Sequence, residues 1–304
     1  MATPAASHER LRAHVQGEIS RDEPLANRTS VRVGGTADLF VQPKSVDDLA
    51  RTLEILADDG IAWHVLGGGA NTLVGDGGFR GAVLRLPNLP EVIEASADAV
   101  TVTLAAGSPI TKIIQVMRKQ KVTGAEFLAS VPGTIGGAVT MNAGTRDGWM
   151  QRVIQSVDVV SARGTQRLES NALTFEYRRT HLPEGSVVVA ATCRLPRGDV
   201  EASEATMAKD IAYRRATQPL HQPNFGSCFV NPEGNGAGRL IESVGLKGHR
   251  IGNAQISEMH ANFIVNLGGA KASEARALLD LARNRVREAT GIELHPEVKF
   301  VGEF

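Results

Sequence analysis

The chain has 304 residues, with 33 Lys+Arg against 33 Asp+Glu, 42% hydrophobic residues and 22% charged residues; this suggests two or three compact units with enough apolar side chain for a buried core. The zero formal charge argues against a general nucleic-acid binder, which needs a cationic surface to displace counterions. Two isolated cysteines without a CxxC spacing, a start without an apolar segment, and no run of ~18 apolar residues argue against a disulfide framework, a cysteine zinc site, a signal peptide and a membrane span, and a reducing cytoplasm is the simplest compartment.

In chain order, residues 8–17 suit a short helix and Ala37–Val41 a strand. Val46, Leu49, Leu53 and Leu56 recur on one face, predicting a helix over Val46–Asp59 that Gly60 stops. Trp63–Leu66 reads as a short buried strand leading into Gly67-Gly68-Gly69-Ala70-Asn71, and Ala82–Leu86 as another. Pro87 and Pro90 mark a domain boundary. Strands are expected near Glu91–Ala95 and Val100–Ala105, then a helix over Pro109–Lys121. A second glycine cluster, Val131 to Ala138, precedes Asn142-Ala143-Gly144. Strands at Val153–Val160 and Val187–Leu195 lead to a helix over Glu201–Ala216. The last stretch predicts a strand at Cys228–Val230, a helix at Gly238–Val244, a strand at Ala261–Val265, a helix at Ser273–Ala289 with Ser273 as its N-cap, and a final strand at Val298–Val301. Mixed strands and helices of this kind point to α+β or α/β units.

Glycine is in surplus, 32 of 304 residues, against a usual ~7%. Such a surplus marks backbone that bends sharply or approaches something closely. The first cluster suits either a turn whose amides face an anion or a plain connector. No GxGxxG and no Gly-Lys dipeptide occurs, so neither a Rossmann fingerprint nor a Walker loop is present. Two glycine-dense loops in separate strand-rich stretches suggest two walls around one extended polar ligand, such as a dinucleotide. The eight histidines form no HExxH and no i, i+4 pair, and no GxSxG elbow occurs. Cys228 reads as a packing cysteine without a base beside it.

Three groups of segments resemble one family in order along the chain. They are Asn27 to Gly35 with Leu66 to Val74; Val131 to Val139 with Phe175-Glu176-Tyr177-Arg178; and Gly226-Ser227-Cys228-Phe229-Val230-Asn231-Pro232 with Ala237 to Glu242 and His295-Pro296-Glu297-Val298. The family is UDP-N-acetylenolpyruvoylglucosamine reductase. The resemblance implies an α+β fold of the vanillyl-alcohol-oxidase-like (PCMH-type) FAD-binding class. Its expected parts are two α+β FAD-binding subdomains, 1–88 and 89–200, a substrate-binding domain, 201–296, and a tail, 297–304, returning to the active site. It implies FAD and NADPH as cofactors in a ping-pong cycle. The enolpyruvyl ether of UDP-N-acetylglucosamine receives hydride from flavin N5 at C3 and a proton at C2, giving UDP-N-acetylmuramate for peptidoglycan synthesis. Small molecules are the only partners implied, with no nucleic acid or membrane, in a cytoplasmic monomer.

The resemblance also implies residue roles. Hydride at C3 leaves negative charge on C2 and the carboxylate, which needs an electrostatic partner and a proton. Arg178 matches the carboxylate-polarising arginine, whose planar fork suits two carboxylate oxygens. Glu297 matches a second polarising residue, useful only if it holds a proton or orients a neighbouring donor. Ser227 matches the proton donor. Cofactor contacts carry over as Leu66, Gly67, Gly68, Gly69, Ala70, Asn71 and Thr72, then Pro132, Gly133, Gly136, Gly137, Asn142, Ala143, Gly144 and Val188. Substrate contacts are Arg178, Ser227, Asn231 and His260, although His260 equally suits a core histidine capping a strand. Val230 stands where many relatives have lysine, Ala70 where serine is frequent, and Thr145-Arg146 where a tyrosine is often nearby. The short interval from Arg178 to Glu201 leaves little room for the tyrosine-bearing flap of the longer subtype. Two competing readings are a flavin-dependent sugar or alcohol oxidase of the same fold and a non-catalytic nucleotide-sugar sensor. The first lacks a histidine within Gly67–Val74, and the second needs no proton donor.

Overall fold

The computed structural model describes residues 2–87 and 89–304. Met1 and Asn88, the ends of the expected first FAD-binding subdomain, lie outside the described residues. The chain forms two compact units that interleave in sequence. The first takes Met1–Arg21, Leu39–Gly68 and Gly81–Tyr213; the second takes Asp22–Asp38, Gly69–Arg80 and Arg214–Phe304.

The first unit opens with a helix at Pro4–His14, earlier than the expected 8–17. Its start is set locally: Thr3 accepts from the Ala6 amide at 3.3 Å, and Pro4 sits where a helix needs no amide donor. Arg10 pairs with Asp58 and Asp59 at 2.7 and 2.6 Å, fastening this helix to the next. That next helix, Val46–Asp59, has the predicted bounds because it carries its own signals. Ser45 accepts from the Asp48 amide at 3.0 Å, Asp47 and Asp48 face the positive helix end, and Gly60 closes it at φ 67°. Leu49, Leu53, Ile55 and Leu56 are buried by it.

A four-stranded sheet runs in the order Gly17–Pro24, Thr36–Pro43, Phe79–Leu84, Trp63–Val65, the last pair parallel. A five-stranded antiparallel sheet runs Gly164–Glu169, Ile154–Ser161, Val187–Pro196, Ala99–Ala105, Val92–Ala95. Alternation gives it two faces. Val100, Val102, Leu104, Val157, Ala191, Cys193 and Leu195 are core, whereas Thr103 and Thr192 bond hydroxyl to hydroxyl at 2.9 Å on the other face. Burial pushes the Cys193 thiol up to about 12, so it is a packing group.

The second unit holds a four-stranded sheet in the order Asn224–Ser227, Phe263–Asn266, Ala254–Ile256, Arg250–Ile251. The helix Ala272–Thr290 buries Ala272, Ala275, Leu278, Leu279, Ala282 and Val286. Two sequence expectations change here. The strand placed at Cys228–Val230 lies instead at Asn224–Ser227, because Gly226 at φ 79° breaks the register and the following residues bond elsewhere. Ser273 is not the N-cap of the long helix, which begins after Lys271. The Asp76 carboxylate accepts from the Ala272 and Ser273 amides at 2.7 and 2.9 Å and does the capping from a distant loop. Burial raises the Asp76 pKa, but the bonds from Ser273 and Ala272 and the charge of Lys271 outweigh it, leaving it below the ordinary carboxylate value.

The chain end joins this unit as a strand. Lys299–Val301 pairs in parallel with Thr72–Val74, immediately after the first glycine loop. Among the described residues no helix is long and apolar enough to cross a membrane.

Candidate active site

The glycines of the two loops fall into two kinds. At Gly67 a Cβ would stand 2.6 Å from Thr134 Oγ1, and at Gly68 one would stand 3.2 Å from Gly133 Cα. The two glycine segments of the first unit therefore touch each other at these positions. Gly136 is pressed on Ala106 and donates to its carbonyl at 2.9 Å. A Cβ on Gly144 would overlap the Gly148 carbonyl. In the second unit, Gly69 at φ 61° packs on Arg28 and Thr29. All these are glycines that packing demands.

Gly133 and Gly137 differ. The nearest atom to a Cβ on Gly133 is Ile110 Cδ1 at 4.0 Å, although its φ of 112° still favours glycine. Gly137 lies within the short helix Ile135–Thr140, is exposed, and has nothing nearer than Thr134 Oγ1 at 3.5 Å. Glycine inside a helix costs about 1 kcal/mol relative to alanine, and no contact within the protein requires it here. A bare Cα on this surface leaves room for a ligand's backbone approach. On that observation the site fits a cofactor such as FAD.

The other residues assigned to the cofactor by resemblance are placed as follows. Leu66 and Val188 are core side chains, buried to 3% and 4% exposure, and can offer a ligand little beyond backbone. Asn142 sits at φ 42°, donates to the Glu176 carbonyl at 3.2 Å and accepts from the Gln151 amide at 3.0 Å. Ala143 bonds along the main chain to Ala138 and Met150, at 2.8 Å each, and Pro132 is exposed. In the second unit, Thr72 faces Lys299 across the parallel pair.

Arg178 occupies the tip of a hairpin in the first unit. Thr174–Glu176 pairs with Arg179–His181, so Tyr177-Arg178 is a two-residue turn. Its φ of 59° is unusual for a residue with a side chain and costs about 1–2 kcal/mol. Such strain is found where function requires a side chain in one direction. Arg178 Nη1 donates to the Gly144 carbonyl at 2.9 Å. Its guanidinium lies 5.6 Å from the Trp149 ring centroid and 5.2 Å from that of Tyr177. The two rings meet edge to face at 5.3 Å. Sequence reasoning missed Trp149. It is one of two tryptophans in the chain and follows Thr145-Arg146 at close range, where the resemblance places a tyrosine nearby.

Ser227 and Glu297 belong to the second unit, which brings their main chains together. Ser227 ends the strand Asn224–Ser227, and the Glu297 amide donates to the carbonyl of the next residue, Cys228, at 2.9 Å. Asn71 Nδ2 donates to the Glu297 carbonyl at 3.0 Å. A Cβ on Gly226 would lie 3.3 Å from the Ala70 carbonyl oxygen. Ala70, Asn71, Ser227 and the returning tail thus converge within the second unit. Burial pushes the Cys228 thiol up, outweighing a backbone hydrogen bond with Ile264 that lowers it, and Glu297 nearby raises it further, as suits a packing cysteine. Asn262, another residue missed, clamps this segment from a buried position. It accepts from the Phe229 amide at 2.9 Å and donates to the Phe229 carbonyl at 2.8 Å.

Asn231 and His260 are engaged in holding local structure. Asn231 Oδ1 accepts from the Ala237 amide at 3.0 Å, closing the start of the helix Ala237–Ser243. His260 Nδ1 accepts from the Asn262 amide at 3.1 Å, its ring stacks edge-on at 5.1 Å from Phe263, and burial lowers its pKa. Of the two sequence readings of His260, this geometry is that of the strand-capping histidine.

Residues 37–168 match the FAD binding domain family, and residues 218–301 match the C-terminal domain family of UDP-N-acetylenolpyruvoylglucosamine reductase. The chain is 50% identical over 289 residues to a UDP-N-acetylenolpyruvoylglucosamine reductase of Myxococcus xanthus, covering 94% of this chain and 93% of that one. A reductase of the same description from Anaeromyxobacter dehalogenans is 50% identical over 296 residues, covering 97% and 89%. The crystal structure of UDP-N-acetylenolpyruvylglucosamine reductase from Thermus caldophilus matches with a TM-score of 0.80 at 31% identity, over 94% of this chain and 99% of that one.

Proposed function

The chain belongs to the UDP-N-acetylenolpyruvoylglucosamine reductase family, and from that premise we propose that it reduces UDP-N-acetylglucosamine enolpyruvate to UDP-N-acetylmuramate at the expense of NADPH, a step of peptidoglycan synthesis. It is an oxidoreductase with the α+β FAD-binding fold that the resemblance implied. The observation that carries the reading is the return of the tail, which bonds Glu297 to the residue after Ser227 at 2.9 Å.

Gly67, Gly68, Gly69, Gly133 and Gly137 would hold FAD, the last two offering the least obstructed backbone. When bound, FAD supplies hydride transfer from the reduced nicotinamide to the enolpyruvyl carbon C3. Ser227 gives its hydroxyl proton to C2, where the acceptor is basic enough to take it. Arg178 pairs with the substrate carboxylate, where charge accumulates as C3 is reduced. Trp149 and Tyr177 keep its guanidinium in one orientation. Glu297 holds a proton towards that charge or orients a neighbouring donor. Asn231 and His260 support the substrate side through the loop and strand they stabilise.

The test is NADPH oxidation by the FAD-replete protein with and without the enolpyruvyl substrate. Substrate-dependent consumption with formation of the lactyl ether supports the proposal. Equal rates with and without substrate overturn it.

A further inference from the structure

Glu297 is held by hydrogen bonds at both of its backbone groups. Its amide donates to the Cys228 carbonyl at 2.9 Å, and its carbonyl accepts from Asn71 Nδ2 at 3.0 Å. These groups belong to the two different peptide planes that flank the Glu297 Cα. Fixing both planes fixes φ and ψ, and with them the direction of the Cα–Cβ bond. The first bond is main chain to main chain. The second peptide is held at both ends, by the Val298 amide donating to the Cys228 carbonyl at 3.5 Å and by the Asn71 side chain, so the identity of residue 71 bears on the direction of Glu297.

Asn71 grips the tail a second time. Its own carbonyl accepts from the Lys299 amide at 2.9 Å, where the parallel pairing of Lys299–Val301 with Thr72–Val74 begins. Beyond that point the tail is secured without it. The Gly75 amide donates to the Val301 carbonyl at 2.9 Å, Gly78 bridges Glu303, and the Arg276 guanidinium lies 4.3 Å from the Phe300 ring. Removing the Asn71 amide leaves these contacts of the tail in place and loosens the peptide between Glu297 and Val298, which the Val298 amide also ties to the Cys228 carbonyl at 3.5 Å.

We infer that Asn71, through the bond from its side-chain amide to the Glu297 carbonyl, is a positioning residue that aims the Glu297 side chain for the reaction. It couples the first glycine loop to the second polarising residue. The inference rests on the proposed role of Glu297 and assigns Asn71 a task beyond contact with the cofactor.

The experiment uses FAD-loaded holoenzyme carrying Asn71→Ala, Asn71→Asp or Glu297→Gln. Asn71→Asp preserves shape and, when ionised, lacks the donor. Stopped flow follows flavin bleaching by NADPH and its recovery on adding the enolpyruvyl substrate. A misdirected reacting group costs on the order of 10²-fold, so both Asn71 variants should recover about 10²-fold more slowly, a loss well beyond any change that the cofactor contact of Asn71 makes in bleaching. Amide exchange of residues 299–304 is measured alongside and should stay near its unaltered value in Asn71→Asp, and FAD affinity is measured so that recovery is compared at full cofactor loading. Normal recovery in both Asn71 variants while Glu297→Gln is slow overturns the inference and leaves the proposed role of Glu297 standing. Parallel loss of FAD affinity and of both half-reactions overturns it in favour of a cofactor-holding residue. Fast exchange along the whole tail overturns it in favour of a structural clasp. Normal recovery in Glu297→Gln overturns the role of Glu297 itself.

Discussion

Arg178 and the Ser227–Glu297 pair are held by different kinds of force. Arg178 rides a two-residue turn, and its side chain is steadied by one carbonyl and two aromatic faces. Ser227 and Glu297 stand on main chain pinned from both sides, by Cys228, Asn71 and Asn262. Side-chain contacts of the first kind can be altered one at a time without unfolding anything. Backbone pins of the second kind are shared with a buried core around Phe225, Phe229 and Ile264. The arginine region is thus tunable, whereas the serine and glutamate region is rigid. A group that polarises charge tolerates small displacement better than one that must deliver a proton along a single line.

Substitutions can break that contrast. The largest effect is expected from Ser227→Ala, which removes the proposed proton donor and leaves the main chain untouched. General-acid loss is worth about 10²–10⁴-fold, to be read as slow flavin recovery with substrate after normal bleaching by NADPH. Arg178→Lys keeps the charge and loses the planar fork, and the recovery rate should fall by about 10²-fold if bidentate pairing at the carboxylate matters. Trp149→Ala removes one face from the guanidinium. A cation–π contact of about 1 kcal/mol corresponds to a factor of roughly five in rate or substrate KM, with the fold intact by circular dichroism. Were Trp149→Ala as damaging as Ser227→Ala, the arginine region would be as rigid as the other.

Gly137→Ala tests the cofactor surface independently of both regions. The added Cβ meets no protein atom nearer than 3.5 Å, so the ligand-free protein should gain up to about 1 kcal/mol in urea unfolding. FAD affinity should fall in the same variant. A stabilised protein with unchanged FAD affinity would remove Gly137 from the site.

The smallest effect concerns pH. Burial lowers the pKa of both His64 and His260. The folded protein therefore takes up a proton less readily than the unfolded chain. Their contribution to stability is complete above the unfolded histidine value, about 6.5, and is lost as pH falls below it. Urea midpoints should drop between neutral and mildly acidic pH, and His260→Gln should flatten part of that slope. A midpoint that rises on acidification would contradict the assignment.

Legibility of the fold followed the distance over which its causes act. The helix Val46–Asp59 announces itself through its own period, its Ser45 cap and its Gly60 stop. The long helix Ala272–Thr290 was readable in its body, whereas its true cap is Asp76, nearly two hundred residues earlier. The apolar run Cys228–Val230 looks like a strand, yet its amides and carbonyls are taken by Asn262, His295 and Glu297. Interleaving of the two units leaves no mark in composition. Among the site residues, the glycine loops were visible as a surplus, but which glycines serve packing and which stay bare depends on Thr134, Ala106 and Ile110 across the fold. Asn262 and the second task of Asn71 carry no local signature and follow from long-range pairing, whereas Trp149 has only its nearness to Thr145-Arg146 to mark it.

The central claim is that Ser227 delivers the proton while the hydride chemistry is set by other groups. Stopped-flow comparison of the two half-reactions in FAD-loaded Ser227→Ala tests it most directly. Normal bleaching by NADPH, with recovery on the enolpyruvyl substrate slowed by at least about 10²-fold, is the predicted result. Recovery at the unaltered rate would contradict it.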